Sequence, residues 1–183
     1  MKSFIIILML LCSSVYADAK LYLGLGYANI NEKFDNLDVK RKSLDAGRIK
    51  IGYGIRENYA IELSIEGIKN EAKILSDRDE DRYGANIELV KSLDLDTFIY
   101  PYFKAGFGAG SMKTTRDDTE QSLSYGNFNF GLGTYIAINE HFDFELGYEY
   151  KQISYERIDL DATTKIGYKS KANVFYFGLN TRF

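Results

Sequence analysis

The chain has 183 residues and is mildly acidic, with 23 Lys and Arg against 26 Asp and Glu. This charge argues against a nucleic-acid-binding protein, which presents a basic face. With 15 Tyr, 12 Phe and 16 Gly but one Pro, the composition favours a single domain of many strands joined by turns.

The first 17 residues have the pattern of a secretory signal peptide. Lys2 supplies the positive charge, residues 4–11 form an apolar run, and Val15 and Ala17 occupy the positions that signal peptidase reads. The run is shorter than the roughly 20 residues of a membrane-spanning helix. We therefore predict cleavage after Ala17, a signal peptide at 1–17 and a mature domain at 18–183. A lipidated Cys12 is the alternative, but the residues before it are both Leu, where that processing prefers small residues.

Removal of the signal changes the chemistry of the chain. The only Cys is lost, and Lys and Arg fall by one from 23 to 22 against 26 Asp and Glu. An exported domain without disulfides must be stabilised by burial or by the bilayer.

Apolar residues alternate with small or polar ones along eight segments, which predicts eight β-strands. The predicted strands span residues 20–30, 44–55, 59–67, 82–90, 98–110, 123–138, 142–153 and 172–183. In the third strand, for example, Tyr59, Ile61 and Leu63 alternate with Ala60 and Glu62. Pro101 lies near the start of the fifth strand, where a missing donor is tolerated.

The predicted connections alternate in length. Tight turns fall at 56–58 and 139–141, with a slightly longer one around 94–96. Long polar loops fall at 31–43, 68–81, 111–122 and 154–171. Short periplasmic turns and long external loops are typical of outer-membrane barrels, and an even strand number puts both termini on the periplasmic side.

Side-chain volume predicts which face of each strand points outward. An eight-stranded barrel encloses a lumen just wide enough for side chains to fill. The large apolar set would overfill this lumen, whereas the set rich in Gly, Ala, Ser and Asn fits. An apolar outer surface requires lipid, and a strand edge cannot remain unpaired in hydrocarbon. The predicted fold is all-β: an eight-stranded antiparallel up-and-down transmembrane β-barrel.

The whole predicted mature chain resembles the small eight-stranded outer-membrane barrels, which include the transmembrane domain of outer-membrane protein A, the protein X-type barrels and the opacity proteins. Residues 176–183, YFGLNTRF, and residues 101–110, PYFKAGFGAG, carry the resemblance. It implies that the last strand is an assembly signal read by the barrel-assembly machinery. The residues of this signal are Phe175, Phe177, Leu179 and Phe183. Thr181 departs from the larger apolar residue that is usual there.

Charged residues of the inward set are the main candidates for a functional site. The predicted interior network comprises Arg48, Lys50, Glu62, Glu66, Glu88, Lys104, Glu145, Glu149 and Arg182, with Lys151 beside them. A regular hairpin places Arg48 directly across from Glu66 and Lys50 diagonal to it. Unpaired charges in a narrow barrel are costly, so mutual pairing is expected. The network is interpreted as a plug of the lumen; a gate for ions is the alternative.

No catalytic, cofactor-binding or metal-binding residue is predicted. His141, the only histidine, falls in a tight periplasmic turn. The two lipid A-modifying enzyme families of this architecture place a His and a Ser at the outer leaflet. His141 falls on the opposite, periplasmic side, so it is interpreted as a solvated turn residue. The glycines at 106, 108 and 110 lie within a strand rather than before a helix, and the acidic segments 76–82 and 115–120 do not match an EF-hand loop.

The predicted function is that of a non-enzymatic, monomeric outer-membrane protein with surface-exposed loops. Its predicted partners are outer-membrane lipid, lipopolysaccharide and the barrel-assembly machinery, with no nucleic acid. By resemblance, the loops serve adhesion or host interaction through an extracellular ligand or host receptor. A narrow ion or solute channel and a lipid A-modifying enzyme are the alternatives. Tyrosines near strand ends are expected to form interfacial girdles. They are Tyr27, Tyr53, Tyr59, Tyr83 and Tyr148.

Overall fold

The fold was analysed in a computed structural model, which describes residues 19–35, 42–68, 81–116, 119–161 and 164–183. The predicted signal peptide and its cleavage site lie outside these ranges, so both stay predictions. In the described part of the chain, no helix is long and apolar enough to cross a membrane.

Eight long antiparallel strands close into a barrel, and a two-stranded hairpin is inserted between the last two of them. The strands are β1 Lys20–Phe34, β2 Lys42–Gly54, β3 Tyr59–Ile68, β4 Arg82–Ser92, β5 Ile99–Arg116, β6 Thr119–Ala137, β7 Phe142–Tyr155, β8 Ile158–Asp161, β9 Thr164–Ile166 and β10 Lys169–Arg182. Each barrel strand pairs with its neighbour along the chain, and β1 pairs with β10 to close the barrel. The predicted fold class is confirmed.

The side chains alternate between lipid and lumen as the volume argument predicted. Along β3, exposed and buried residues alternate almost perfectly. The exposed positions carry large apolar side chains, such as Leu25 on β1 and Phe107 on β5, which are 66% and 67% exposed. The buried positions include charged groups, such as Glu62 with no exposed surface. The outward band therefore matches hydrocarbon, and the polar groups are enclosed by the barrel wall.

Short turns close one end of the barrel, as predicted for the periplasmic end. In the turn before β7, the side-chain oxygen of Asn139 accepts hydrogen bonds from the backbone N–H groups of His141 and Phe142, at 2.8 and 2.9 Å. In the turn before β5, Asp96 has a φ of 52°, and its N–H donates to the Asp94 carboxylate at 3.0 Å. Asx turns of this kind fix a tight reversal.

At the opposite, extracellular end of the barrel, the strands extend further than predicted. The predicted loop at 111–122 was wrong, because β5 and β6 stay paired up to Arg116 and Thr119. The loop at 31–43 was too long, since β1 ends at Phe34 and β2 begins at Lys42. The loop at 154–171 contains the β8–β9 hairpin. Of the loop at 68–81, residues 69–80 lie outside the described ranges.

A reversal of polarity between the two faces explains these wrong boundaries. At the extracellular end, outward positions become polar, such as Asn31 and Lys33, while the inward ones become apolar, such as Ile30 and Phe34. The predicted strands stopped where the outward apolar set stopped. The ladder continues because the apolar inward residues form a core of their own.

The predicted tyrosine girdles lie at the two borders of the apolar band. Tyr53 and Tyr59 are exposed beside the turn between β2 and β3, at the periplasmic end. Tyr27 and Tyr83 are exposed at the extracellular border, and the Tyr148 hydroxyl donates to Asn173 Oδ1 at 2.6 Å. Tyrosine suits such a border because its ring can enter the apolar region while its hydroxyl forms hydrogen bonds at the polar side.

Candidate functional site in the barrel interior

The structure places all nine residues of the predicted interior network inside the barrel, and none is more than 6% exposed. Eight of them, together with Lys151, form a cluster of buried charges, which we call the central network. Its ion pairs fall into two groups, one around Glu149 and one around Lys50. The ninth, Arg182, lies in a separate cluster at the periplasmic end. Alternation along each strand is the reason for the shared orientation, because residues two apart point to the same side.

Glu149 on β7 is the centre of this network. Its carboxylate pairs with three buried cations. They are Arg48 at 3.1 Å, Lys104 at 3.2 Å and Lys151 at 3.2 Å. Glu66 lies opposite Arg48 in the β2–β3 ladder and bonds to it. Lys151 also pairs with Glu66, at 2.7 Å.

Lys50 connects the other side of the network to a group of tyrosines. Its ammonium pairs with Glu62 at 2.8 Å and with Glu145 at 2.6 Å. The diagonal position relative to Glu66 was predicted, but the ammonium bonds to the next carboxylate along the strand. Glu62 also accepts hydrogen bonds from the hydroxyls of Tyr22 and Tyr135, at 2.6 and 2.8 Å. Both hydroxyls donate to Oε1, the oxygen that Lys50 also binds, whereas Glu62 Oε2 has no hydrogen-bond partner among the described residues.

The central network has nearly balanced charge. In the described part of the chain it contains five carboxylates and four cations. They are Glu62, Glu66, Glu88, Glu145 and Glu149 with Arg48, Lys50, Lys104 and Lys151. Removing a charged group from water costs on the order of several kcal/mol unless attraction to an opposite charge and hydrogen bonds offset that cost. The observed pairing provides both.

Two further buried clusters were missed by the sequence analysis. At the periplasmic end, Asp143 pairs with Arg182 at 2.5 Å and with Arg56 at 2.9 Å. At the extracellular end, Glu32 pairs with Arg82 at 2.7 Å. Continuing the alternation of each strand would have found Glu32 and Arg82, but the predicted loop at 31–43 excluded the first of them.

Apolar side chains pack on both sides of the central network. A small aromatic group lies on the periplasmic side: Tyr22, Ala60, Val90, Tyr102 and Tyr135. A larger apolar cluster fills the extracellular half of the lumen and includes Tyr176. The guanidinium of Arg48 stacks on the Tyr176 ring, with 4.6 Å from the guanidinium carbon to the ring centroid. Two cavities beside the network each measure about 10 Å³, which is no more than a single water occupies.

The four residues of the predicted assembly signal lie on the lipid-facing side of the barrel. Phe175, Phe177 and Leu179 are exposed on β10, and Phe183 follows its last residue. The N–H of Phe183 donates to the carbonyl of Leu21 at 2.9 Å, so the C-terminal residue is held at the closing seam with β1.

His141 is exposed in the periplasmic turn, and its Nδ1 lies 3.1 Å from the carbonyl oxygen of Arg182. Within the described ranges, no group of three or more His, Cys, Asp or Glu is arranged to hold a metal ion. The acidic segments at 76–82 and 115–120 lie largely outside the residues whose side chains are described.

A closed antiparallel barrel with an apolar outer band, a charged interior and short turns at one end defines an integral outer-membrane β-barrel. The family model described as the outer membrane protein beta-barrel domain matches residues 3–183, and the chain belongs to this family. The localisation of the family is the outer membrane of Gram-negative bacteria.

Solved structures of the same fold come from bacterial surface proteins. Neisserial surface protein A has a TM-score of 0.71 at 15% identity, with 91% of this chain and 100% of that chain covered. The attachment invasion locus protein Ail of Yersinia pestis has a TM-score of 0.60 at 17% identity, with the same coverages. The structure of Ail in complex with the heparin analogue sucrose octasulfate has a TM-score of 0.59 at 18% identity, again with these coverages. Identities this low establish a shared fold. A comparison with curated protein sequences found no match.

Proposed function

We propose that this chain is a non-conducting, non-enzymatic outer-membrane barrel that acts through its extracellular end. The observation that carries the proposal is the filled interior. From the periplasmic tyrosines through the central network to the extracellular apolar cluster, buried side chains occupy the lumen in contact with one another.

The energetics of the network support a plug. Opening a path for a hydrated ion requires several ion pairs to separate, among them the pair between Lys50 and Glu145 at 2.6 Å. Each opened pair leaves a charge without its partner in a narrow, poorly hydrated space, which is strongly unfavourable. A filled lumen is also the usual state of eight-stranded barrels.

Single-channel recording on the refolded protein tests the plug. We expect no steady openings for the wild-type barrel, because buried side chains occupy its lumen. The control Glu156→Gln changes an exposed carboxylate beyond β7 and is expected to behave as the wild type. Stable wild-type openings whose conductance changes in Glu66→Gln would establish the channel alternative.

The extracellular end is built as a platform for loops. The β5–β6 ladder continues to Arg116 and Thr119, and the outward positions of β1 at the same end are polar, as at Asn31 and Lys33. Barrel strands that project beyond the membrane hold the connecting loops away from lipid. Loops positioned by a rigid scaffold in this way often carry binding functions. The comparison with Ail, which has been solved with a heparin analogue, supports an extracellular ligand for these loops as well.

Replacing the loop at 69–80 tests this platform role. We expect binding to host cells or to a heparin analogue to fall at least severalfold when the loop is exchanged for a Gly-Ser linker of equal length. The barrel itself is expected to refold normally, because its ladder does not depend on the loop. Unchanged binding after all four extracellular connections have been exchanged would exclude adhesion through the loops.

The C-terminal strand is proposed to act as the assembly signal. We expect Phe183→Ala to lower the amount of barrel in the outer membrane of living cells severalfold, while refolding of the pure protein into detergent is little changed. Phe107→Ala is the control, because Phe107 has nearly the same exposure, 67% against 65%, but lies on β5. Equal losses in both variants would show a general effect of removing lipid-facing aromatics.

A further inference from the structure

The periplasmic mouth of the barrel contains an open cavity that the proposed function does not use. It measures about 410 Å³ and is lined by the cations Lys20, Arg56 and Arg182 and by the carboxylates of Glu57 and Glu140. The rings of Tyr22 and Tyr135 contact both Arg182 at this cavity and Lys50 of the central network. The cavity therefore opens toward the periplasm and has its own charged wall.

At the inner wall of this cavity two guanidiniums lie beside a single carboxylate, while the other two carboxylates belong to Glu57 and Glu140. Arg56 and Arg182 share one carboxylate, that of Asp143, at 2.9 and 2.5 Å. Arg182 is only 3% exposed, and its Nη1 has no hydrogen-bond acceptor among the described residues. A hydrogen bond from a guanidinium to an oxyanion is charge-assisted and therefore stronger than one between neutral groups.

Other contacts hold the two guanidiniums in place. Arg56 Nη2 donates to the carbonyls of Asn139 and Glu140, at 2.9 and 3.0 Å. Arg182 stacks over the ring of Tyr22, with 4.4 Å from its guanidinium carbon to the ring centroid. Both groups are therefore fixed before any ligand arrives, which reduces the entropy that binding costs.

We propose that this cavity binds a small zwitterion, with its oxyanion on Arg56, Arg182 and Lys20 and its ammonium group near Glu57 and Glu140. The carboxylates of the rim repel a ligand that is only anionic, whereas they attract an ammonium group attached to the oxyanion. Phosphoethanolamine, free or as a lipid headgroup, has this chemistry. The inference is independent of the non-conducting role of the barrel.

A titration of the refolded, isotope-labelled barrel in uncharged detergent tests the site. Phosphoethanolamine is expected to shift the Nε–H resonances of Arg56 and Arg182 in a saturable way. Inorganic phosphate and ethanolamine are each expected to bind more weakly. Arg56→Gln is expected to weaken the affinity by at least about tenfold, the loss of one charge-assisted hydrogen bond.

Lys91→Gln is the matched control. Lys91 lies at the same end of the barrel but faces outward beside Tyr59 and Asn58, so its loss is expected to leave the affinity unchanged. Lys20→Gln serves as a second variant at the cavity in case Arg56→Gln does not refold. Equal affinities for phosphate and phosphoethanolamine, or equal effects of Lys20→Gln and Lys91→Gln, would overturn the proposal.

Nanodiscs distinguish the two sources of the headgroup. If the lipid itself supplies it, nanodiscs of phosphatidylethanolamine shift the two arginine resonances before any addition, and nanodiscs of phosphatidylglycerol do not. If the ligand is soluble, both nanodiscs start from the same spectrum and respond equally to added phosphoethanolamine. Failure of all these titrations would leave the conductance result untouched, so the two proposals fail separately.

Discussion

Replacing Glu149 with Gln is expected to lower the free energy of unfolding by about 3–5 kcal/mol, the cost of breaking a buried ion pair by removing one partner. The substitution keeps the size of the side chain but removes the charge that three buried cations share. Arg48 and Lys151 keep Glu66 as a partner, whereas Glu88 is the carboxylate that Lys104 keeps among the described residues. The loss therefore falls on these three cations, and most of all on Lys104.

Urea unfolding of the barrel in lipid vesicles measures this loss, with the heat resistance of the folded form on gels as a second readout. Glu156→Gln changes the same side chain at an exposed position and is expected to stay within about 0.5 kcal/mol of the wild type, as surface substitutions usually do. A Glu149→Gln barrel as stable as this control would show that the network does not stabilise the fold.

Replacing Gly106 with Ala is expected to destabilise the barrel by about 3 kcal/mol, the upper range for an overpacked core. A Cβ at Gly106 would lie 2.1 Å from the backbone oxygen of Ile87 and 2.8 Å from the Cα of Glu88. Both are backbone atoms of the neighbouring strand, so the ladder itself has to move. Glycine at this position is required by the close approach of two strands.

Gly47→Ala provides the matched control on the outside of the barrel. A Cβ at Gly47 would meet nothing within 4 Å, and Ala in a strand is favoured over Gly by about 0.5–1 kcal/mol. The same unfolding measurement is expected to show Gly47→Ala unchanged or slightly more stable. Equal destabilisation of the two variants would mean that the inner wall adapts without cost.

A tightly packed interior fits a barrel whose activity is at its surface. If Glu149 and Gly106 stabilise the fold as expected, the strands form a rigid support for the extracellular connections. The buried charge pairs are then expected to contribute to folding stability. The variable part of such a protein is then the set of loops, whose ligands depend on residues outside the scaffold.

Local pairing could be predicted from the chain alone, whereas contacts across the lumen could not. Arg48 and Glu66 were placed opposite each other correctly, because a tight turn joins their strands and fixes the register. Arg48 also bonds to Glu149, which is 101 residues further along the chain. That contact depends on how the barrel closes and on the stagger of its strands, which no single hairpin determines.

The alternation of large apolar with small or polar residues determined, without any coordinates, that this chain forms eight barrel strands with their large apolar side chains turned to lipid. It could do so because strand geometry puts every second side chain on the same face. Only the tertiary structure decided where the strands end above the membrane and which charges meet across the lumen. The reason is physical: beyond the bilayer the inward side chains of distant strands, such as Phe34 and Tyr155 with ring centroids 5.7 Å apart, form a core that no strand has by itself.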